Sequence, residues 1–183
     1  MRRTRIGLAL IAGTSLWAWA PVRAETAVAG EYQVKAAFLL HFARYVEWPQ
    51  EAFPALGQPF VVTVLGPDPF GQTLEAALEG RTIRERPLAV RRASRMEEVG
   101  RTQILFIGSH EDLPRILRRL DAAPTLTIGE ASDFAEQGGM VRFRTDRDRV
   151  GFEINVASAD RAGLKISSQL LKLARIVGGG RKG

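Results

Sequence analysis

Side chains able to do chemistry are few. The chain has two histidines, His41 and His110, and no cysteine. A hydrolytic site needs a histidine close to a nucleophilic hydroxyl, and Ser109-His110 brings the two types side by side. Consecutive residues on a helix point apart, however, and a serine opening SHEDLPRILRRL is explained by a Ser-x-x-Asp cap. His41 lies in an apolar helical stretch and reads as a packed core residue. With no thiol and no His/Asp/Glu cluster, a transition-metal site has no donor set. GPDPFG (66–71) follows a strand as a phosphate loop would. It lacks the glycine spacing of a dinucleotide turn and the Gly-Lys-Ser/Thr of a P-loop. It reads as a strand-to-helix turn in which Asp68 caps a helix opening at Pro69. The acid pairs in SRMEEV and SHED sit in charge-mixed segments and read as solvated. By elimination the chain binds rather than transforms, with no catalytic residue, cofactor or metal expected.

Charge points the same way. The first 24 of the 183 residues carry four arginines and no acid, so without them the net charge falls from +6 to +2. Arg2, Arg3 and Arg5, an apolar run from Ile6 to Ala20, and Val22-Arg23-Ala24 form the pattern of a secretory signal cleaved after Ala24. The alternative is an uncleaved anchor, but the run is shorter than the ~20 residues a spanning helix needs. The high pI therefore belongs mostly to the export segment, and a nucleic-acid partner loses its main support. Six arginines between Arg81 and Arg95, Arg91 and Arg92 among them, form a local patch suited to an anion or an acidic partner.

The elements that would position these groups alternate. FVVTVL (60–65) and QILFIG (103–108) are continuous apolar runs, as in strands buried on both faces of a parallel sheet. RPLAVRR (86–92) and PTLTIG (124–129) are further strands, and helical segments lie between them. GGMVRFRTDRDRVGFEINV alternates apolar and polar residues about Asp146-Arg147-Asp148, which predicts an antiparallel hairpin. The fold expected is α/β: three layers, a largely parallel sheet flanked by helices, closed on one side by that hairpin. Residues 25–177 form a single domain, and 178–183 are a flexible basic tail.

Two helices have more apolar surface than one buried stripe needs. In EYQVKAAFLLHFARYVEWP, expected to be helical from near Gly30 to Trp48, one face holds Val34, Ala37, Phe38, His41 and Tyr45. The adjoining face holds Leu39, Phe42 and Val46, with Lys35 caught among them. LKISSQLLKLARIV (164–177) reads as a final helix with the same excess. On a helical wheel Leu173 points away from Leu171, and Leu40 away from the first helix's main stripe. The expectation is that the two helices pack together and leave an apolar strip exposed. Leu40, Leu173 and Ile176 are candidate partner-binding residues there, with Arg91 and Arg92 on the basic patch.

Several stretches resemble the YfiR family of periplasmic proteins: KAAFLLHFARYVEWP, QILFIG, LTIGEASDFAEQGGMVRF and FEINVASADRAGLKISSQLLKLARIV, in the family's order across about residues 30–177. VEWP and AGLKISSQLLKLA are the most specific pieces. The resemblance implies an exported, non-catalytic regulator in the periplasm. It implies as partner an inner-membrane diguanylate cyclase, held down through its periplasmic sensing region so that cyclic-di-GMP and biofilm formation are limited. Other members of the family are linked to sensor kinases. A homodimer is possible, no nucleic acid is involved, and the cleaved chain does not itself span the membrane. A rival reading is a periplasmic small-ligand-binding accessory protein of a sensor kinase or an outer-membrane transport system. Many relatives carry a cysteine just before the ILFI strand. Arg101-Thr102-Gln103 stands there in this chain, so any redox tuning does not carry over.

Overall fold

The apolar runs that need burial on both sides set the architecture. The computed structural model describes residues 22–178 except positions 56, 110, 111 and 148. The chain runs α1 (Val22–Tyr45), β1 (Val46–Glu47), β2 (Phe60–Leu65), α2 (Gln72–Leu78), β3 (Thr82–Ile83), β4 (Arg86–Ala93) and β5 (Ile104–Ile107). It continues through α3 (Leu113–Leu120), β6 (Leu126–Gly129), β7 (Val141–Asp146), β8 (Arg149–Asn155), α4 (Val156–Arg161), β9 (Lys165–Ile166), α5 (Ser168–Leu171) and β10 (Arg175–Val177). The expected export segment up to position 21, His110 and the tail beyond Gly178 lie outside the described residues. The first helix begins upstream of Gly30, at Val22, and so contains the expected cleavage point after Ala24.

Eight strands form one sheet in the order β10-β8-β7-β6-β5-β2-β4-β3. Pairing is antiparallel in the β7–β8 hairpin and at the β3–β4 edge, and parallel elsewhere. Every residue of β2 and β5 is buried, and the pleat sends alternate side chains to opposite layers. Val62, Val64, Ile104 and Phe106 meet α1 and α2, while Leu65, Leu105 and Ile107 meet α3. This is the three-layer, largely parallel α/β sheet expected, with the hairpin on one side. A separate antiparallel pair, β1–β9, joins the end of α1 to the chain before α5.

Three local expectations differ from the structure. The stretch 164–177 is not one helix. Ser167 caps α5, its side chain accepting from the Leu170 N–H, and the helix ends within about a turn. Arg175–Val177 then pairs in parallel with Glu153–Asn155. Without that pairing, β8 would end the sheet with unpaired backbone groups along those residues. The hairpin is therefore one strand in from the edge. Asp68 does not cap a helix at Pro69: α2 opens at Gln72, and Asp68 Oδ1 accepts from the Phe70 N–H at 2.8 Å in a tight turn. Ser109 does not open α3, whose N-cap position is Asp112, with Pro114 in the first turn.

Polar bonds tie the sheet together at Thr102-Gln103. Gln103 is buried; its Nε2 donates to Ala52 O at 2.7 Å, and its Oε1 accepts from Val61 N–H at 2.8 Å. Thr63 Oγ1 donates to Thr102 Oγ1 at 3.0 Å. Every donor and acceptor named here is matched, which a buried polar group requires.

Candidate partner-binding site

The inward face of α1 is Ala36, Leu39, Phe42 and Ala43, continued by Val46 of β1, all buried. Phe42 packs between Phe152 (ring centroids 5.1 Å) and Phe143 (5.8 Å) of the hairpin. Lys35 is buried with them. Its ammonium is paired with Glu31 one turn earlier and with Glu130 at the end of β6, and it lies 4.4 Å from the centre of the Tyr32 ring. Tyr32 Oη donates to Glu130 Oε2 at 3.2 Å. Burial pushes the Lys35 ammonium down, but the bonds to Glu130 and Glu31 outweigh it and leave its pKa raised. Burial likewise pushes Glu31 up, and the bonds from Lys35 and from Thr145 (2.8 Å) outweigh it, so Glu31 titrates below its usual 4.5. These contacts fix which way α1 is turned. The lysine inside an apolar run was the sequence signal for this cluster; Glu130, 95 residues away, had none.

The outward face is the one that holds His41. His41 is exposed, not packed in the core, and its ring stacks on Tyr45 at 5.9 Å with planes 6° apart. The imidazole edge stays in water while the ring shields apolar neighbours, so burial is unnecessary. Val34 is 46 % exposed and Tyr45 37 %. A hollow of about 180 Å³ lies between this face and α5 with the turn after it, lined by Phe38, His41, Tyr45, Gln169, Leu170 and Leu173. Leu173 is 70 % exposed and Ile176 54 %. Ile176 pairs with Ile154, whose side chain is in the core beneath α1, so both lie on the α1 side of the sheet.

Of the five candidate residues, Leu173 lines the hollow against α1, and Ile176 is exposed on the same side of the sheet. Leu40 is half-buried and packed against the core. Arg91 is exposed on β4. Arg92 is engaged internally: Nε donates to Asp68 Oδ2 at 2.7 Å, one Nη bonds Glu75, and another donates to Gly71 O at 2.8 Å. The bond from Arg92 holds Glu75 below its usual carboxylate range. Neighbouring arginines are tied too, Arg86 to Gln58 O at 2.9 Å and Arg95 to Glu98 at 2.9 Å. Val34, His41 and Tyr45 belong to the exposed surface and were not singled out as candidates by sequence.

Among the described residues no three histidine or acidic side chains gather as metal ligands, and no helix is long and apolar enough to cross a membrane. A sequence model of the family described as YfiR/HmsC-like matches residues 32–175. The crystal structure of a conserved domain protein from Vibrio cholerae O1 biovar El Tor is similar in fold, with a TM-score of 0.51 and 12 % identity over 77 % of this chain and 59 % of that one. An ABC domain in complex with L-Trp from Streptococcus pneumonia reaches a TM-score of 0.47 at 12 % identity, over 64 % of this chain and 55 % of that one. The first likeness is one of fold alone, and the second is too distant to carry an argument. The chain spans less than two thirds of either.

Proposed function

Because the chain belongs to the YfiR/HmsC-like family, we propose that it is a non-catalytic regulator acting in the periplasm, exported by its first 24 residues. Its partner is the periplasmic sensing region of an inner-membrane diguanylate cyclase, which it holds inactive. The observation that carries this reading is the hollow lined by Phe38, His41, Tyr45 and the largely exposed Leu173, with Val34 and Ile176 also left in solvent. A contiguous apolar patch left in water on a folded domain marks an interaction face. Tyr45 at the rim of the hollow is of a type enriched in interface hot spots, and Leu173 and Phe38 supply apolar surface around it. Inhibition follows by population shift: a protein that binds only the inactive form of the sensing region draws the cyclase into that form.

The test is cellular. Cyclic-di-GMP is measured in a strain lacking the chain and in strains restored with the wild type, with Leu173→Asp and with Tyr45→Asp. Loss of the chain should raise cyclic-di-GMP, the wild type should lower it again, and neither variant should, although both are exported and folded. A hot-spot side chain is worth ≥ ~2 kcal/mol, so binding should weaken by about 30-fold. If deletion leaves cyclic-di-GMP unchanged, the partner is not a cyclase. If folded Leu173→Asp and Tyr45→Asp still restrain it, the apolar surface is not the interface.

A further inference from the structure

The outward face of β7, β8 and β10 carries a charged cluster, one of whose hollows borders Leu173 of the candidate partner surface. Arg142, Glu153 and Arg175 stand in one row across the three strands, since Arg142 and Arg175 are both register partners of Glu153. Glu153 is buried, and three guanidinium groups converge on it: Arg142 Nη1 at 3.1 Å, Arg175 Nη1 at 3.3 Å and Arg144 Nη1 at 3.9 Å. One of them would balance a buried carboxylate. The other two add mutual repulsion with no opposing charge in the row.

Two hollows of about 350 and 410 Å³ share Arg175 in their walls. The smaller is also lined by Arg142, Asn155, Ser132 and Glu136, and the larger by Arg144, Arg149 and Asp146. With both rims counted, four arginines face three carboxylates. Asn155 is already engaged, its Nδ2 donating to Ala135 O at 2.9 Å and its Oδ1 accepting from Ser158 N–H at 3.1 Å. Arg142 is not fully engaged: its Nε is buried and has no acceptor among the described residues. A buried donor left unmatched is destabilising, and the fork of a guanidinium matches two oxygens of one oxyanion.

We propose that Arg142 and Arg175, held in place by Glu153 and backed by Arg144, form a binding site for a small oxyanion of the carboxylate or phosphate class. The anion would take the free Nη groups of Arg142 and Arg175. In doing so it would clamp the edge strand β10 onto the hairpin. Glu153 competes with the ligand for the same donors, which keeps the affinity moderate and the site reversible. The site stands whether or not the partner reading is correct.

Isothermal titration of the full chain with inorganic phosphate and, separately, with citrate, at constant ionic strength in sodium chloride, tests the site. At least one anion should bind saturably at one per chain, and the tighter one identifies the source as phosphate or carboxylate. Arg142→Gln and Arg175→Gln should each weaken it by about 10- to 100-fold, as expected for a lost charge-assisted bond. Arg118→Gln, which removes an exposed arginine of α3, should leave it unchanged. Should Arg142→Gln fail to fold, Arg175→Gln decides alone, because that side chain is 67 % exposed on a three-residue edge strand. Absence of saturable binding by both anions overturns the site. So does binding that Arg175→Gln leaves intact, or that Arg118→Gln weakens as much.

Discussion

Along α1, Ala36, Leu39 and Phe42 are sealed against the sheet, while Val34, His41 and Tyr45 on the adjoining face stand in solvent. The second set is the more polar, but each of its side chains still presents apolar or aromatic surface, so helical periodicity separates the faces without by itself deciding which turns inward. Longer-range contacts decide. Lys35 reaches Glu130, Phe42 fits between Phe143 and Phe152, and Tyr32 meets Phe70 edge-on at 5.3 Å. Each of these partners lies far along the chain. The difference between the faces is therefore one of use: burial of the first stabilises the fold, while the apolar area of the second remains free to drive association, at ~25 cal/mol per Å² covered.

The largest expected effect is on the inward face. Phe42→Ala removes a ring held by two other rings, and cutting a buried phenylalanine to alanine costs about 3–5 kcal/mol. Urea unfolding should show a much lower midpoint at an unchanged slope. Tyr45→Ala, one turn on but outward, should move the midpoint little. Equal losses at the two positions would erase the distinction between the faces.

An intermediate effect is expected where the faces meet. Lys35→Met removes charged hydrogen bonds to Glu31 and Glu130, each of a kind worth ~1.5–3 kcal/mol, while the partly exposed carboxylates can turn to water. The substitution should also change the response to acid. Glu31 is depressed in the folded state, so its contribution is present above its unfolded value near 4.5 and is lost as pH falls through its lower folded value. With Lys35 gone, burial is left to push Glu31 upward against Thr145 alone. The extra loss of melting temperature below about pH 4.5 should shrink in Lys35→Met relative to the wild type. An unchanged acid limb would mean that Lys35 does not set the Glu31 titration.

How much of this was legible varies with the range of the interaction. The buried strands were plain, because FVVTVL and ILFI are apolar at every position and only a doubly covered sheet accommodates that. The hairpin was plain from its alternation. His41 was misplaced because its neighbours are apolar on both sides and nothing local marks the outward face. The segment 164–177 was misread because Arg175–Val177 becomes a strand to satisfy β8, a demand written elsewhere in the sequence. Leu173 and Ile176 were expected to be exposed and are, but the reason differs: Leu173 follows a one-turn helix, and Ile176 lies on an edge strand. In the arginine-rich run 81–95, local density gave no hint that Arg92 is engaged by Asp68 and Glu75. At the hairpin, arginines spaced by two and one distant arginine converge on Glu153, which no run of charge announced.

The smallest effect on folding is expected at Leu173, and there the comparison is sharpest. On an exposed site far from the core, aspartate for leucine should change stability by no more than about 0.5 kcal/mol. Leu173 lines the hollow against His41 and Tyr45 but is itself 70 % exposed, so little burial is lost and the new carboxylate is hydrated. Leu40→Asp provides the contrast. Leu40 is packed against the core, and a carboxylate there must be partly desolvated, so that variant should lose clearly more stability, of the order of 1–3 kcal/mol. Urea midpoints of the two variants, measured beside the wild type, separate the cases. A Leu173→Asp loss as large as that of Leu40→Asp would place Leu173 within the cooperative core and leave the outward face without its most exposed apolar anchor. A wild-type midpoint for Leu173→Asp makes any loss of restraint on the membrane partner a loss of contact, because the fold that presents the contact is intact.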